Sequence, residues 1–204
     1  MAKLTNKEEK RCDIALASIG LFCTKGIQQT SIEEIAKSAG VAKGTIYLYF
    51  KNKEEIIFAI WNMIVEQHMI AFEQRVASLQ GAKEKIMSFF DFAQCCNIFD
   101  TQKILHLYQH FVSAMLIDKT GLYTSYFESV FQKDYEFIAS CLQEGIDSGE
   151  FEPHDVHLLT NTMVLLIKGT LVKSKASNLA FVDAQALLTQ QLSFLLDNFT
   201  RKIK

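Results

Sequence analysis

The 204-residue chain is poor in helix breakers, with a single proline, Pro153, and nine glycines. It also lacks any long alternation of Val, Ile and Thr with polar residues. Sheet therefore has no support in the pattern, and a nearly all-helical fold is expected. No apolar run reaches the roughly 18 residues that read as a membrane-spanning helix. The start, Met1-Ala2-Lys3-Leu4-Thr5-Asn6-Lys7, lacks the apolar core of a secretory signal. No membrane partner is expected, and the cytoplasm is the expected location. None of the cysteines, Cys12, Cys23, Cys95, Cys96 and Cys141, stands in a CxxC pair, and no histidines cluster at zinc spacing. Inert thiols in a reducing compartment are expected, with adjacent Cys95 and Cys96 the one pair placed for redox chemistry. Gly-rich phosphate loops, nucleophile elbows, HExxH and recognisable catalytic carboxylate pairs are missing. An enzyme is not expected, and neither a cofactor nor a resident metal.

Hydrophobic residues make up 49% of the chain and charged residues 22%, enough to bury a substantial core. The net charge of −2 hides an asymmetry. Met1 to Lys53 carries nine Lys and Arg against five Asp and Glu, whereas the remainder carries 12 against 18. A basic head on an acidic body fits a protein that meets phosphate only with its head.

Nine helices are expected. The first covers Asn6 to Lys25, with Ile14, Ala17, Leu21 and Phe22 on one face, and Gly26 stops it. Ser31 with Glu34 three residues on forms a capping box for the second, which carries Ile35, Ala36 and Ala39 and ends at Gly40. A short third helix spans Lys43 to Tyr49. Asn52 caps a long fourth from Lys53 to Leu79. The rest reads as helices over Ala82–Cys96, Thr101–Ile117, Leu122–Asp147, Pro153–Lys175 and Val182–Lys202, with Asp100 a cap and Pro153 in a first turn.

The most informative stretch runs Ser31-Ile-Glu-Glu-Ile-Ala-Lys-Ser-Ala-Gly40-Val-Ala-Lys-Gly-Thr-Ile-Tyr-Leu-Tyr-Phe50. Two helices crossing through a tight turn need a small residue at their contact, here Ala36. They need a permissive backbone in the turn, here Gly40, and apolar pins, here Ile35, Val41 and Ile46. This is helix-turn-helix spacing. The short helix also offers Lys43, Gly44, Thr45, Tyr47 and Tyr49, residue types able to meet base edges, phosphates or a close groove wall. Lys53 adds charge at the N-terminus of the fourth helix, where phosphate is favoured.

From Gly26 to Ile56 the sequence resembles the DNA-binding domain of TetR-family transcriptional regulators. The turn, the Lys-Gly-Thr-Ile-Tyr run, the Tyr-Phe pair and the following Lys-x-Lys-Glu fall in register. The resemblance covers about the first quarter of the chain. It implies an all-α subunit with a three-helix head over residues 1–53 and a helical effector-binding and dimerisation body over 54–204. It further implies a homodimeric repressor, with the helix over Lys43–Tyr49 in the major groove of an operator. Matched by position, Ser31, Ile32, Lys43, Gly44, Thr45, Tyr47, Tyr49 and Lys53 are its DNA contacts. Thr45 is the first choice for base contact, with Lys53, Tyr49 and Tyr47 assigned to phosphate. Ile32 and Glu33 stand where some members carry Thr or Arg, so the second helix is expected to read bases poorly.

One short recognition helix reads few base pairs, whereas two linked heads read half-sites about one helical turn apart. The resemblance places the dimer interface on the last two helices, at Val156, Leu159, Met163, Ile167, Leu171, Leu188, Leu192, Leu195 and Phe199. Such stripes equally suit a core within one chain. The middle of the chain is rich in Phe and Tyr, and the resemblance implies that its helices enclose a small apolar or amphipathic effector. Candidate lining residues are Phe89, Phe92, Cys96, His106, His110, Phe111, Met115, Tyr126, Phe127 and Met163. The His106–His110 pair has metal-binding spacing, but no acidic or thiol partner can be placed beside it. A DNA-binding protein without an effector, controlled by a protein partner or by thiol redox, is the alternative.

Overall fold

A computed structural model describes residues 6–92 and 100–201. Among these the chain is all-α: α1 (Asn6–Lys25), α2 (Ile32–Ser38), α3 (Lys43–Tyr49), α4 (Lys53–Val76), α5 (Ala82–Phe89), α6 (Thr101–Ile117), α7 (Leu122–Ser148), α8 (Val156–Ala176) and α9 (Phe181–Phe199). The one extended pairing is an isolated antiparallel bridge between Phe151 and Thr200.

The first three helices form a helix-turn-helix head whose core is set by short-range sequence. Ile14, Ile19 and Phe22 of α1 are buried with Ile35 and Ala36 of α2, Ile46 of α3 and Phe50. The capping box at the start of α2 is complete. Ser31 Oγ accepts from the Glu34 amide at 3.3 Å, and a Glu34 carboxylate oxygen accepts from the Ser31 amide at 2.9 Å. A hydrogen bond from the Lys25 ammonium, then those from Ser31, hold the Glu34 carboxyl down at about 2. Gly40 supplies the turn with φ +64°, a backbone conformation that a Cβ would strain. Arg11 closes the head from the other side. Its guanidinium lies 4.1 Å from the Phe50 ring centroid and also donates to the Tyr49 carbonyl.

α4 carries the head into the body. Asn52 caps it, its side chain accepting from the Glu55 amide at 2.9 Å. Ile56, Ile57, Ile60, Ile64, His68 and Phe72 form its buried side. By length and mean composition alone this helix passes for a membrane span, but it holds no unbroken apolar run of about 18 residues, and its Ile56, Ile60 and Ile64 are buried in the core. In the body, α7 packs on α5 and α8, α8 on α9, and α6 bridges to both α1 and α8. Glu150 acts at a distance: its carboxylate accepts from the Ala82 and Lys83 amides at 2.6 and 3.0 Å, capping α5, whose own cap position is Gly81.

Several boundaries differ from expectation, α4 ending at Val76 and α9 at Phe199 among them. α8 starts at Val156 behind the cap Asp155, not at Pro153. The Phe151–Thr200 bridge and the Glu152 amide on the Phe199 carbonyl at 2.7 Å hold the preceding residues extended along the end of α9. α5 ends at Phe89, and its expected continuation to Cys96 passes outside the described residues, as do Cys95 and Phe99.

Candidate functional site

The outer face of α3 follows from one anchor. Ile46 is fully buried, and at about 100° per residue the opposite side belongs to Gly44 and Leu48, flanked by Thr45 and Tyr47. Tyr47 is 52% exposed and Leu48 72% exposed, an unusual display for a leucine on a seven-residue helix. Lys43 pairs with Glu33 on α2. Tyr49 packs against the core, and Ile32 does so from α2. The Ser31 hydroxyl is engaged in the cap. The Lys53 ammonium donates to the carbonyls of Gln28 at 2.8 Å and Thr30 at 3.4 Å, which brings it beside the start of α2. The proposed contacts thus come from three adjoining places: the α2 start, α3 and the first turn of α4. Leu48 was missing from the sequence expectation, although its position two residues past Ile46 points it outward.

Behind the head, α4 to α9 surround a cavity of about 490 Å³, within the size range of small-molecule sites. Phe89, Phe92, Phe111, Tyr126 and Phe127 line it, as expected from sequence. His106, His110, Met115 and Met163 do not, which corrects that expectation. On α6 the cavity side is set by Ile104, Tyr108 and Phe111. His106 and His110 each lie two residues from Tyr108, about 200° around the helix. His106 meets the Gln102 side chain at 3.0 Å, and His110 Nε2 donates to the Cys23 carbonyl at 3.2 Å. Met163 is fully buried in the core. Cys96 lies outside the described residues.

Besides the expected Tyr126, the cavity has polar lining groups that the sequence expectation lacked, among them Trp61, Asn62, His68, Glu73, Tyr108, Lys133 and Asp134. Burial, then the positive Arg75, depresses His68 to about 4 against the opposing hydrogen bond with the Phe89 backbone, so its ring is neutral near pH 7. Burial raises the Asp134 carboxyl to about 7. Burial, then the nearby Asp134 charge, raises the Tyr108 hydroxyl far above its ordinary value. The Tyr126 hydroxyl donates to Asn62 Oδ1 at 2.8 Å. Trp61 Nε1 is buried without an acceptor among the described residues, with its ring edge-on to Tyr108 at 5.6 Å.

Residues 14–60, from the middle of α1 into α4, match the sequence model of the bacterial regulatory proteins of the tetR family. The head of the chain is thus assigned to the TetR family. It is 37% identical over 83 residues to the fatty acid metabolism regulator protein of Bacillus subtilis, a match covering 41% of this chain and 43% of that protein. It is 42% identical over 65 residues to the transcriptional regulator AcrR of Shigella flexneri, covering 31% of this chain and 30% of that one. The matched stretch thus spans less than half the length of these curated relatives. Whole-chain likeness comes from structures. FadR from Bacillus subtilis, solved in complex with stearoyl-CoA, aligns over 95% of this chain and 99% of its own with a TM-score of 0.65 and 25% identity. A TetR regulator from Haloarcula marismortui aligns over 95% and 100% with a TM-score of 0.79 at 13% identity, a likeness of fold alone.

Within the subunit, the apolar stripes of α8 and α9 point mainly inward. Leu159, Met163, Ile167, Leu188 and Leu192 are buried in their own subunit, and Val156, Leu171, Leu195 and Phe199 are partly buried against the same core. Burial takes Leu159, Met163, Ile167, Leu188 and Leu192 out of an outward interface, because α7–α8 and α8–α9 packing claims that side of each helix. The outward side of α8 instead shows Leu158 at 65%, Leu165 at 67% and Val172 at 46% exposure, seven residues apart. On α9 it shows Phe194 at 69%.

Proposed function

We propose that this chain is a sequence-specific DNA-binding transcriptional regulator, acting as a homodimeric repressor that a small, largely apolar effector releases from its operator. The single observation that carries the reading is the placing of one helix, α6. It contributes Phe111 to the cavity wall while its next residue back, His110, hydrogen-bonds the last turn of α1 in the head. An occupant that favours a different α6 position is thereby linked to the placement of α3.

In this reading residues 1–53 are the DNA-binding unit and 54–204 the effector and dimer unit, with α4 continuous between them. Thr45 and Leu48 face base edges from α3, with Gly44 allowing close approach. Lys43, Tyr47, Tyr49, Lys53, Ser31 and Ile32 set the register on backbone and sugar. The second copy covers Leu158, Leu165, Val172 and Phe194, which would otherwise leave large apolar side chains in water. Cavity size and lining support an apolar filling. So does the B. subtilis FadR complex, in which a relative at 25% identity holds stearoyl-CoA. Burial raises the Cys12, Cys23 and Cys141 thiols, which favours effector control over control by these cysteines. The reading includes a cytoplasmic location and no catalytic activity.

The experiment is in vitro selection of duplex DNA by the purified chain, followed by release assays with apolar compounds. Enrichment of a two-fold symmetric site and its release by a cavity-binding compound are expected. Failure to enrich any sequence over random duplex overturns the proposal.

A further inference from the structure

We propose that the effector cavity takes an amphipathic cation, an amine or quaternary ammonium bearing an apolar tail, with the Asp134 carboxylate as its counter-ion. This rests on the effector-binding reading above and names the chemistry of the ligand's polar end.

Asp134 stands where an apolar residue belongs. On α7 it falls in helical register with Phe127, Phe131 and Ile138, all buried, and it lines the cavity with the first two. A carboxylate in such a wall is costly unless something pairs with it. Among the described residues it has neither a hydrogen bond nor an ion pair, in contrast to Glu34, Asp118 and Asp197, whose carboxylates are all engaged. Burial without compensation raises its carboxyl to about 7. Lys133, the residue before it, and Lys168 of α8 form no ion pair with it. Lys133 lines the cavity without reaching ion-pair distance, and Lys168 places its ammonium 4.6 Å from the Phe131 ring centroid.

The surroundings suit a cation in two further ways. The ionisable lining holds two carboxylates, Glu73 and Asp134, against one ammonium, Lys133, while His68 is neutral near pH 7. The same lining carries the rings of Trp61, Tyr108, Phe127 and Phe131, a residue type that attracts ammonium groups. Phe131 already accepts one from Lys168. The remaining lining, from Ile64 to Leu171, is apolar enough to bury the tail.

The test uses three probes with the same decyl chain below their micelle concentrations: decyltrimethylammonium, decanol and decanoate. Trp61, the only tryptophan in the chain, lines the cavity and reports occupancy by its fluorescence. At about pH 8 the ammonium is expected to bind about tenfold tighter than either other probe. Asp134→Asn should abolish that preference while decanol binding stays unchanged, and Asp134→Glu should keep most of it. Thermal melts confirm that both variants fold. Equal or tighter binding of decanol or decanoate, or a preference that survives Asp134→Asn, overturns the cation proposal and leaves the cavity reading standing. If no probe changes the Trp61 signal, both fall.

Discussion

His110 on α6 donates from Nε2 to the Cys23 carbonyl in the last turn of α1 at 3.2 Å, tying a helix of the cavity wall to the helix-turn-helix head. The contact is tight. A Cβ on Gly26, just past α1, would sit 2.9 Å from His110 Nδ1, and Gly26 itself has φ +82°. Burial, then the charges of Lys175 and His106, lowers the pKa of His110, which keeps the ring neutral with one nitrogen free to donate.

Removing this tie should uncouple the two units. A neutral hydrogen bond is worth about 1 kcal/mol, which is about a fivefold change in an equilibrium. His110→Ala is therefore expected to shrink the effector-induced loss of DNA affinity by about fivefold. Affinity without effector should stay near that of the parent. Binding titrations with and without effector check this. An unchanged ratio would remove His110 from the coupling.

The DNA face makes separable predictions for three residues. Thr45→Ala and Leu48→Ala should each relax base preference by about 1–3 kcal/mol at one or two positions. An exposed leucine on a recognition helix suits a thymine methyl, so in the proposed reading replacing that thymine with uracil should weaken the parent and leave Leu48→Ala indifferent. Lys53 gives two of its three ammonium hydrogens to the Gln28 and Thr30 carbonyls, leaving one for phosphate. Lys53→Ala should weaken every sequence alike and reduce the salt slope by about one. Fluorescence anisotropy across a salt series separates the two behaviours.

What the sequence made legible was local. The capping box of Ser31 and Glu34, the Gly40 turn and the Ile35–Ile46 pins depend on residues a few positions apart, and their spacing alone carries the head. The cavity depends on how six helices face one another. Aromatic content found Phe89, Phe111 and Phe127, but a search for polar pairs settled on His106 and His110, which point away. The missed signal was a polar residue in phase with an apolar stripe: Asp134 with Phe127, Phe131 and Ile138, and His68 with Ile60, Ile64 and Phe72. The outward face of α8 was hidden for a related reason. Of two apolar stripes on one helix the richer is taken by the subunit's own core, leaving Leu158, Leu165 and Val172 outside.

That division makes the dimer testable by contrast. Leu165→Lys combined with Phe194→Asp should give a folded monomer by light scattering, with its affinity for the full operator much reduced because a single head remains. Ile167→Ala, two residues away but 2% exposed, should cost about 2–5 kcal/mol of stability through a cavity and leave the dimer intact. If the double variant remains a dimer, the interface lies elsewhere.

Asp134 predicts a pH effect of definite sign. Its carboxyl titrates near 3.8 when exposed and near 7 in the folded chain, so between those values the folded state holds a proton that the unfolded state has released. The contribution of this residue to stability is therefore fully present below about pH 4, falls as pH rises to about 7, and is level above. His68 acts in the opposite direction, because its folded value of about 4 lies below its ordinary 6.5 and acidification favours the unfolded chain. The difference between Asp134→Asn and the parent isolates the Asp134 part. The variant's melting temperature should exceed the parent's by an amount that grows from about pH 4 to about pH 7, at roughly 2–4 °C for each kcal/mol relieved. An ammonium ligand should erase most of that advantage at about pH 8 by pairing with the parent's carboxylate and leaving the variant without a partner charge. A pH-independent difference would mean that Asp134 is solvated in the folded protein.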